Sequence, residues 1–227
     1  LSDPHSRDES IWRALHHREW GSESKPQYNS WRETFVRQRA LNANWDAGRF
    51  TMSALPGHTN RISSVQFNDE FILSSSWDGT AILRDAKTYY YVSSFSGHTD
   101  RINAVQFDSE YAFTGGDDRI VILHTLRDGH IFRMFGSHGG SVTSLRRHGD
   151  LLVSGCSDKG LYFWNVHSGD LLKTVFAHQG AVLAVDIAGD AIASASEDFS
   201  VKVWPCTLSC LYLCWMVLFL SVSVFGY

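Results

Sequence analysis

The sequence predicts an all-β protein, made of four repeated units of four antiparallel strands and preceded by a short helical region. The first observation is a repetition: GHTNRISSVQF at residues 57–67 returns as GHTDRINAVQF at residues 97–107, forty positions later. The second is the sequence between these motifs, where short segments rich in Val, Ile, Phe and Tyr alternate with turn residues. No helical period interrupts these segments, so each repeat is expected to fold as a strand meander.

Four marker positions recur in every repeat with constant spacing and without an insertion. The histidines, forty residues apart, are His58, His98, His138 and His178. The aspartates, twenty residues after each histidine, are Asp78, Asp118, Asp158 and Asp198. The hydroxyl residues, four positions before each aspartate, are Ser74, Thr114, Ser154 and Ser194. A fourth position, six residues after each aspartate, holds Arg84, His124, Trp164 and Trp204.

A forty-residue, four-strand unit with Gly-His near its start and Trp near its end resembles the WD40 repeat, here over residues 49–204. The resemblance implies a WD40 β-propeller, incomplete with about four repeat units, whose open arc leaves two blade faces exposed. It also implies a buried hydrogen-bond chain of His, Ser or Thr, Asp and Trp in each blade. Because Arg84 and His124 replace Trp in the first two repeats, their chains are expected to end differently.

Composition excludes several classes of function. The chain has 227 residues, 44% of them hydrophobic, which suits one or two globular domains. A net charge of −4 gives no electrostatic case for nucleic acid binding. The first ten residues are polar and acidic, so no signal peptide is expected. Cys156 stands alone and the other cysteines cluster near the C-terminus, which favours a reducing compartment, cytoplasmic or nuclear.

The recurring Ser, His and Asp could be interpreted as a hydrolase triad, but a fourfold repetition argues against one asymmetric catalytic site. One histidine per blade also places these residues too far apart to share a metal ion. His16 and His17 lack a Cys or carboxylate partner at ligand spacing and are expected to be exposed. The sequence therefore predicts a protein that is not an enzyme, with no catalytic residue, metal or cofactor.

Residues 1–48 differ in kind from the repeats, with four tryptophans and many charges. Ser6 with Glu9, and Ser30 with Glu33, have capping-box spacing, which predicts helices near residues 8–18 and 31–41. The order DESIWRALHHREWG, then WRETFVRQRALNANWDAGRF, then a WD40 repeat resembles the segment that joins an F-box to its propeller in F-box/WD-repeat proteins. The resemblance implies that earlier F-box helices, which hold the adaptor Skp1, would precede Leu1. A helical linker packed against the propeller is the alternative.

Residues 205–227 break the repeat and carry no charge. The eighteen residues 207–224 would span roughly 27 Å as a helix, close to the thickness of a bilayer core. The flanks lack the positive charge typical of membrane segments, which favours a non-native or alternative C-terminus over a membrane anchor.

The partner-binding candidates lie next to the recurring His and Asp, on the face that usually docks partners in WD40 proteins. They are Arg61, Trp77, Arg101, Arg119 and Lys159. One interpretation is that these five residues form a basic surface that binds an acidic or phosphorylated segment of a partner. The alternative is that they are ordinary solvated loop residues. The resemblance implies a non-catalytic adaptor that presents a substrate protein to an SCF-type (Skp1-cullin-F-box) ubiquitin ligase. A WD40 scaffold of another complex, possibly anchored to a membrane by its tail, remains the alternative function.

Overall fold

The computed structural model describes residues 4–21, 25–27, 29–49, 51–136, 138–176 and 178–205. The chain divides into two compact units, Leu1–Leu55 and Pro56–Tyr227. Apart from the backbone of Pro205, the charge-free tail lies outside the described residues, and with it the question of a membrane anchor. Across the described ranges, no helix combines the length and apolar composition needed to cross a membrane.

The first unit contains two helices, α1 (Pro4–Trp20) and α2 (Trp31–Asp46). Ser30 caps α2 as predicted, since its Oγ accepts a hydrogen bond from the backbone N–H of Glu33 at 3.1 Å. The predicted start of α1 was wrong: the helix begins before Ser6, at Pro4, because Pro is well suited to the first helical position. Both helices also run further toward their C-termini than predicted.

Aromatic residues join α1 to α2. Phe35 contacts Trp12 and Trp20, with ring centroids 5.4 and 5.3 Å apart. The prediction that His16 is exposed was wrong: the ring is buried between Trp20 and Trp31. The two faces of an imidazole ring can pack against aromatic neighbours, so His16 is accommodated on the inner side of α1.

The second unit is all-β and forms four antiparallel sheets, each a meander of consecutive strands. Blade 1 contains β1 (Ile62–Phe67), β2 (Phe71–Ser76), β3 (Ala81–Asp85) and β4 (Tyr91–Phe95). Blade 2 contains β5 (Ile102–Phe107), β6 (Tyr111–Gly116), β7 (Val121–Thr125) and β8 (Ile131–Phe135). Blade 3 contains β9 (Val142–His148), β10 (Leu151–Cys156), β11 (Gly160–Asn165) and β12 (Leu171–Phe176). Blade 4 contains β13 (Val182–Ala188), β14 (Ala191–Ser196) and β15 (Val201–Pro205) within the described residues.

This architecture is a four-blade WD40 β-propeller preceded by two short helices, as the sequence predicts. The hydrophobic cores lie between consecutive blades rather than within them. Leu73 and Leu83 of blade 1, for example, share one buried cluster with Ile102, Val105 and Phe107 of blade 2. Equivalent clusters join blade 2 to blade 3 and blade 3 to blade 4. Each blade therefore depends on its neighbours to bury its apolar faces.

A close approach of a side chain of one blade to a glycine of the neighbouring blade shapes one of these interfaces. A Cβ added at Gly115 of β6 would lie 2.6 Å from the Val142 Cγ1 atom of β9. The small residue at this position lets the first strand of blade 3 pack directly on blade 2.

Candidate partner-binding face

The recurring histidines connect an aspartate to a hydroxyl in three of the four blades. In blade 1, His58 Nδ1 lies 3.1 Å from Asp78 Oδ2, and His58 Nε2 lies 3.0 Å from Ser74 Oγ. In blade 2, His98 lies 2.8 Å from the Asp118 carboxylate and 2.9 Å from the Thr114 hydroxyl. Each chain ties the loop before the first strand to the turn after the second.

Blade 4 repeats this arrangement. His178 Nδ1 lies 2.9 Å from Asp198 Oδ2, and its Nε2 lies 2.8 Å from Ser194 Oγ. The Trp204 indole N–H donates to the same hydroxyl at 3.0 Å. This blade therefore holds all four members of the chain that the resemblance implied.

Blade 3 departs from the expected chain. His138 Nε2 lies 2.7 Å from Ser154 Oγ, but its Nδ1 bonds to the Arg119 carbonyl oxygen, at 3.0 Å, instead of Asp158. The Asp158 carboxylate instead accepts from the Tyr162 hydroxyl and, at 3.0 Å, from the Gly139 N–H. A tyrosine hydroxyl within reach of the carboxylate thus displaces the histidine from it.

The fourth position of the chain differs between blades. Trp164 donates to Ser154 Oγ at 3.0 Å, and His124 Nε2 lies 3.2 Å from Thr114 Oγ1 in the same manner. Arg84 instead donates to the backbone carbonyls of Pro56 and Tyr89. The different chain ends expected for the first two blades thus take two forms: His124 substitutes for Trp, whereas Arg84 points to the backbone.

The electrostatics of the chains suit a structural role. Burial raises the pKa of Asp78, but hydrogen bonds from Thr80, Thr59 and His58 outweigh it and hold the pKa well below its usual range. Burial alone dominates at His124, whose pKa falls to about 4. At neutral pH Asp78 is therefore charged and His124 neutral, as expected for groups whose hydrogen bonds hold the structure together.

The Ser-His-Asp geometry would suit a nucleophile, yet three of the four hydroxyls are shielded from a substrate by burial. The Thr114, Ser154 and Ser194 hydroxyls belong to residues that are almost fully buried between strands. An acyl group cannot reach an oxygen that faces the interior of a blade. Within the described ranges, no cluster of three or more His, Cys, Asp or Glu side chains has the arrangement to hold a metal ion.

The turn after each aspartate holds its next residue in the left-handed conformation. This position is occupied by Gly79, Arg119, Lys159 and Phe199, with φ of 80°, 68°, 79° and 64°. Non-glycine residues seldom adopt positive φ, and it costs them about 1–2 kcal/mol. Sequence reasoning singled out Arg119 and Lys159 but missed Phe199, which is fully exposed and could have been found from the same repeat position.

Three of the partner-binding candidates form one stack. The Arg61 guanidinium carbon lies 4.8 Å from the centroid of the Trp77 ring, and that of Arg101 lies 4.4 Å from it. Arg61 precedes β1, Trp77 follows β2 and Arg101 precedes β5, so all three lie on one edge of the blades. None of the ion pairs in the described part of the chain involves Arg61 or Arg101. Their charges are therefore available to an external group.

The stack is confined to blades 1 and 2. The corresponding positions of blades 3 and 4 hold small or acidic residues: Ser141, Ser157, Ala181 and Glu197. Asp117 lies at the position of Trp77 in blade 2, and its carboxylate accepts a hydrogen bond from the Asn103 amide at 2.7 Å. The aromatic ring with its two stacked arginines is thus localised to blades 1 and 2.

The comparisons with known proteins agree with this architecture. The model of the WD domain, G-beta repeat, matches residues 49–85, 89–125, 129–165 and 169–205. Among solved structures, the computationally designed Ika4 protein is 27% identical with a TM-score of 0.64, covering 68% of this chain and 96% of that chain. U3-55K is 23% identical with a TM-score of 0.63, covering 66% of this chain and 50% of that chain, which shows the fold alone.

Curated relatives match over a shorter stretch. The probable E3 ubiquitin ligase complex SCF subunit sconB of Emericella nidulans is 31% identical over 64 residues, 28% of this chain and 9% of that protein. Its counterpart in Aspergillus niger is 33% identical over 70 residues, 30% of this chain and 10% of that protein. The alignment thus spans only about a tenth of these relatives' length. Since four family matches cover most of its length, this chain belongs to the WD40-repeat family and is a protein-interaction platform.

Proposed function

We propose that this chain is the substrate-recognition adaptor of an SCF-type ubiquitin ligase and binds its substrate through the Arg61–Trp77–Arg101 stack. The stack carries the proposal because it presents two positive charges around one aromatic ring, with no ion pair to either charge in the described part of the chain. The similarity to SCF subunits named sconB supports the ligase assignment. The helical unit of residues 1–48, similar to the edge of an F-box, would lead toward Skp1.

The stack suits an acidic or phosphorylated segment of a substrate. Arginine pairs in a bidentate manner with carboxylate and phosphate groups, and tryptophan and arginine dominate binding energy at protein interfaces. Stacking on Trp77 holds both guanidinium groups in place before a partner arrives, which reduces the entropy lost on binding. Arg119 of blade 2 and Lys159 of blade 3, exposed on the same edge, would extend the positive surface.

The test compares two triple variants of the full-length protein in a capture experiment. The first carries Arg61→Ala, Trp77→Ala and Arg101→Ala and should lose its captured substrates while it retains Skp1 and cullin. The matched control carries Lys87→Ala, Tyr90→Ala and Arg127→Ala, which removes two exposed basic residues and one exposed aromatic from the opposite edge. The control should retain all partners.

The outcomes separate the parts of the proposal. Unchanged substrate recovery from a folded first variant would place the docking surface elsewhere on the molecule. Capture of proteins without Skp1 or cullin by the unmutated chain would favour a WD40 scaffold of another complex. Folding of both variants is checked by circular dichroism and thermal unfolding.

A further inference from the structure

The arc of blades ends in two apolar faces that no other blade of the described residues covers. On blade 1, Val65 is 60% and Phe67 is 75% exposed. On blade 4, Val201 is 54% and Val203 is 63% exposed. Large apolar side chains clustered in this way mark interaction surfaces rather than ordinary solvent-facing strands. We call the first surface the start face and the second the end face.

The same positions are buried wherever a neighbouring blade is present. Val105 of blade 2 corresponds to Val65 by the forty-residue period, and it is only 9% exposed. Leu83 of blade 1 and Leu123 of blade 2 correspond to Val203 and are fully buried. The start face thus has the composition of a surface that packs on a preceding blade, and the end face that of a surface that packs on a following blade.

Hydrogen bonds between blades use fixed positions as well. Ser63 donates to the Ile102 carbonyl at 2.5 Å, and Thr143 donates to the Val182 carbonyl at 2.5 Å. On the start face, the carbonyl of Ile62 holds the position of these acceptors. On the end face, the donor position is taken by Leu183, an exposed apolar residue that adds to the hydrophobic surface.

A second series of bonds runs along the opposite end of the first strands. The Gln66 Oε1 atom accepts the Phe107 N–H at 2.6 Å, and Gln106 Oε1 accepts the Arg147 N–H at 2.6 Å. The end face carries Asp186 at this position. Its Oδ1 atom already bonds to Arg146 Nε at 2.6 Å, and the exposed carboxylate keeps Oδ2 as an acceptor for the same kind of N–H. The corresponding donor on the start face is the N–H of Phe67.

We propose that two copies of this chain associate head to tail, with the end face of each copy packed on the start face of the other. Each contact would repeat the blade-to-blade interface that the chain already forms three times. The two faces match in apolar composition, and Asp186 can accept the Phe67 N–H, whereas Leu183 stands in place of the hydroxyl that would donate to the Ile62 carbonyl. Two arcs of four blades give a ring of eight, within the roughly four to eight blades of closed propellers. Closure uses both faces of both copies, which stops growth at the dimer.

The test measures the mass of the full 227-residue chain in solution by light scattering after size exclusion. The unmutated chain should elute at twice the 25.6 kDa mass of one copy. Val65→Asp alters only the start face and Val203→Asp only the end face, and each charge would be buried without a partner at both contacts. Both variants should therefore shift to the mass of one copy. The control Met134→Asp places the same charge on an outer strand, at a side chain of similar exposure, and should remain a dimer.

Mixing experiments distinguish a head-to-tail contact from other pairings. A mixture of Val65→Asp and Val203→Asp retains one pair of unaltered faces, so a dimer population should reappear that neither variant forms alone. Persistence of the dimer in either single variant would overturn the head-to-tail arrangement. A monomeric unmutated chain would overturn the proposal altogether, whether its faces stay bare or are covered by residues 206–227. Circular dichroism confirms that each variant is folded.

Discussion

At the scale of single residues, Asp118 and Asp158 occupy the same repeat position but hold different partners. Asp118 faces the nearly buried His98 at 2.8 Å, whereas Asp158 pairs with Tyr162 and leaves His138 to the Arg119 carbonyl. Asp118→Ala should cost about 3 kcal/mol because it leaves a buried histidine without its acceptor.

Asp158→Ala should cost less, on the order of 1–2 kcal/mol, because His138 keeps its bonds to Ser154 Oγ and to the Arg119 carbonyl when the carboxylate is removed. Urea unfolding of both variants measures the difference. An equal loss in the two variants, or a larger one for Asp158→Ala, would contradict the partner assignment in blade 3.

His124 makes the stability of blade 2 dependent on pH. Burial lowers the pKa of His124 from 6.5 to about 4. Between pH 6.5 and pH 4 this imidazole is therefore protonated in the unfolded chain but neutral in the folded chain. Stability is therefore full above pH 6.5 and falls as the pH drops toward 4, by about 3 kcal/mol in total. The free energy of unfolding, measured across this window, should show the decline.

The matched variant is His124→Trp, which installs the residue found at this position in blades 3 and 4. Its indole N–H can donate to Thr114 without titrating, so the decline between pH 6.5 and 4 should become shallower. His138, whose pKa burial also lowers, will preserve part of the slope. An unchanged slope in the variant would assign the pH dependence to other groups.

In blades 1, 2 and 4 the sequence alone predicts the His, hydroxyl and Asp members of these chains, because the forty-residue period aligns them. The partner of His138 could not be predicted in this way. It is the carbonyl of Arg119, a residue of another blade, and its approach depends on how two turns pack in space. The Trp77 stack shows the same limit: the residues were singled out one by one, but their mutual contact requires the tertiary structure.

At the scale of elements, the turn between the second and third strands of each blade contains one residue with positive φ, and the type of that residue differs from blade to blade. Lys159 has a φ of 79° and is exposed, so its side chain gains little packing in return for the strained backbone. Lys159→Gly should raise the free energy of unfolding by about 0.5–1 kcal/mol. Gly79→Ala, at a φ of 80°, should lower it by a similar amount.

Thermal and urea unfolding of the two variants provide the measurement. Opposite signs for the two substitutions are the expected result. A destabilised Lys159→Gly variant would show that the lysine side chain makes a contact that outweighs the backbone strain.

Element boundaries were less predictable than element types. The meander pattern placed the strands correctly because strands alternate with turns at short, regular spacing. The start of α1 was wrong because Ser6 and Glu9 have capping-box spacing inside a helix that already begins at Pro4. Local spacing cannot reveal that the chain becomes helical one turn earlier.

At the scale of the whole molecule, protection should decrease from the middle of the arc to its ends. Blades 2 and 3 are covered on both sides, while Val65 and Val203 mark one uncovered face each on blades 1 and 4. In the Val203→Asp variant, which is expected to be monomeric, amides of β6, β7, β10 and β11 should exchange hydrogen more slowly than those of β14 and β15. Native-state exchange read by mass spectrometry tests this order, and uniform protection across the blades of a dilute sample would contradict it.

The fixed spacing of the repeats has a genetic consequence. Each blade is one continuous forty-residue stretch, and every junction between blades uses equivalent positions. A tandem duplication of the coding sequence for this unit would therefore add blades without requiring new contact surfaces. Blade number can change by copying or losing whole segments, and each product inherits junctions that already fit.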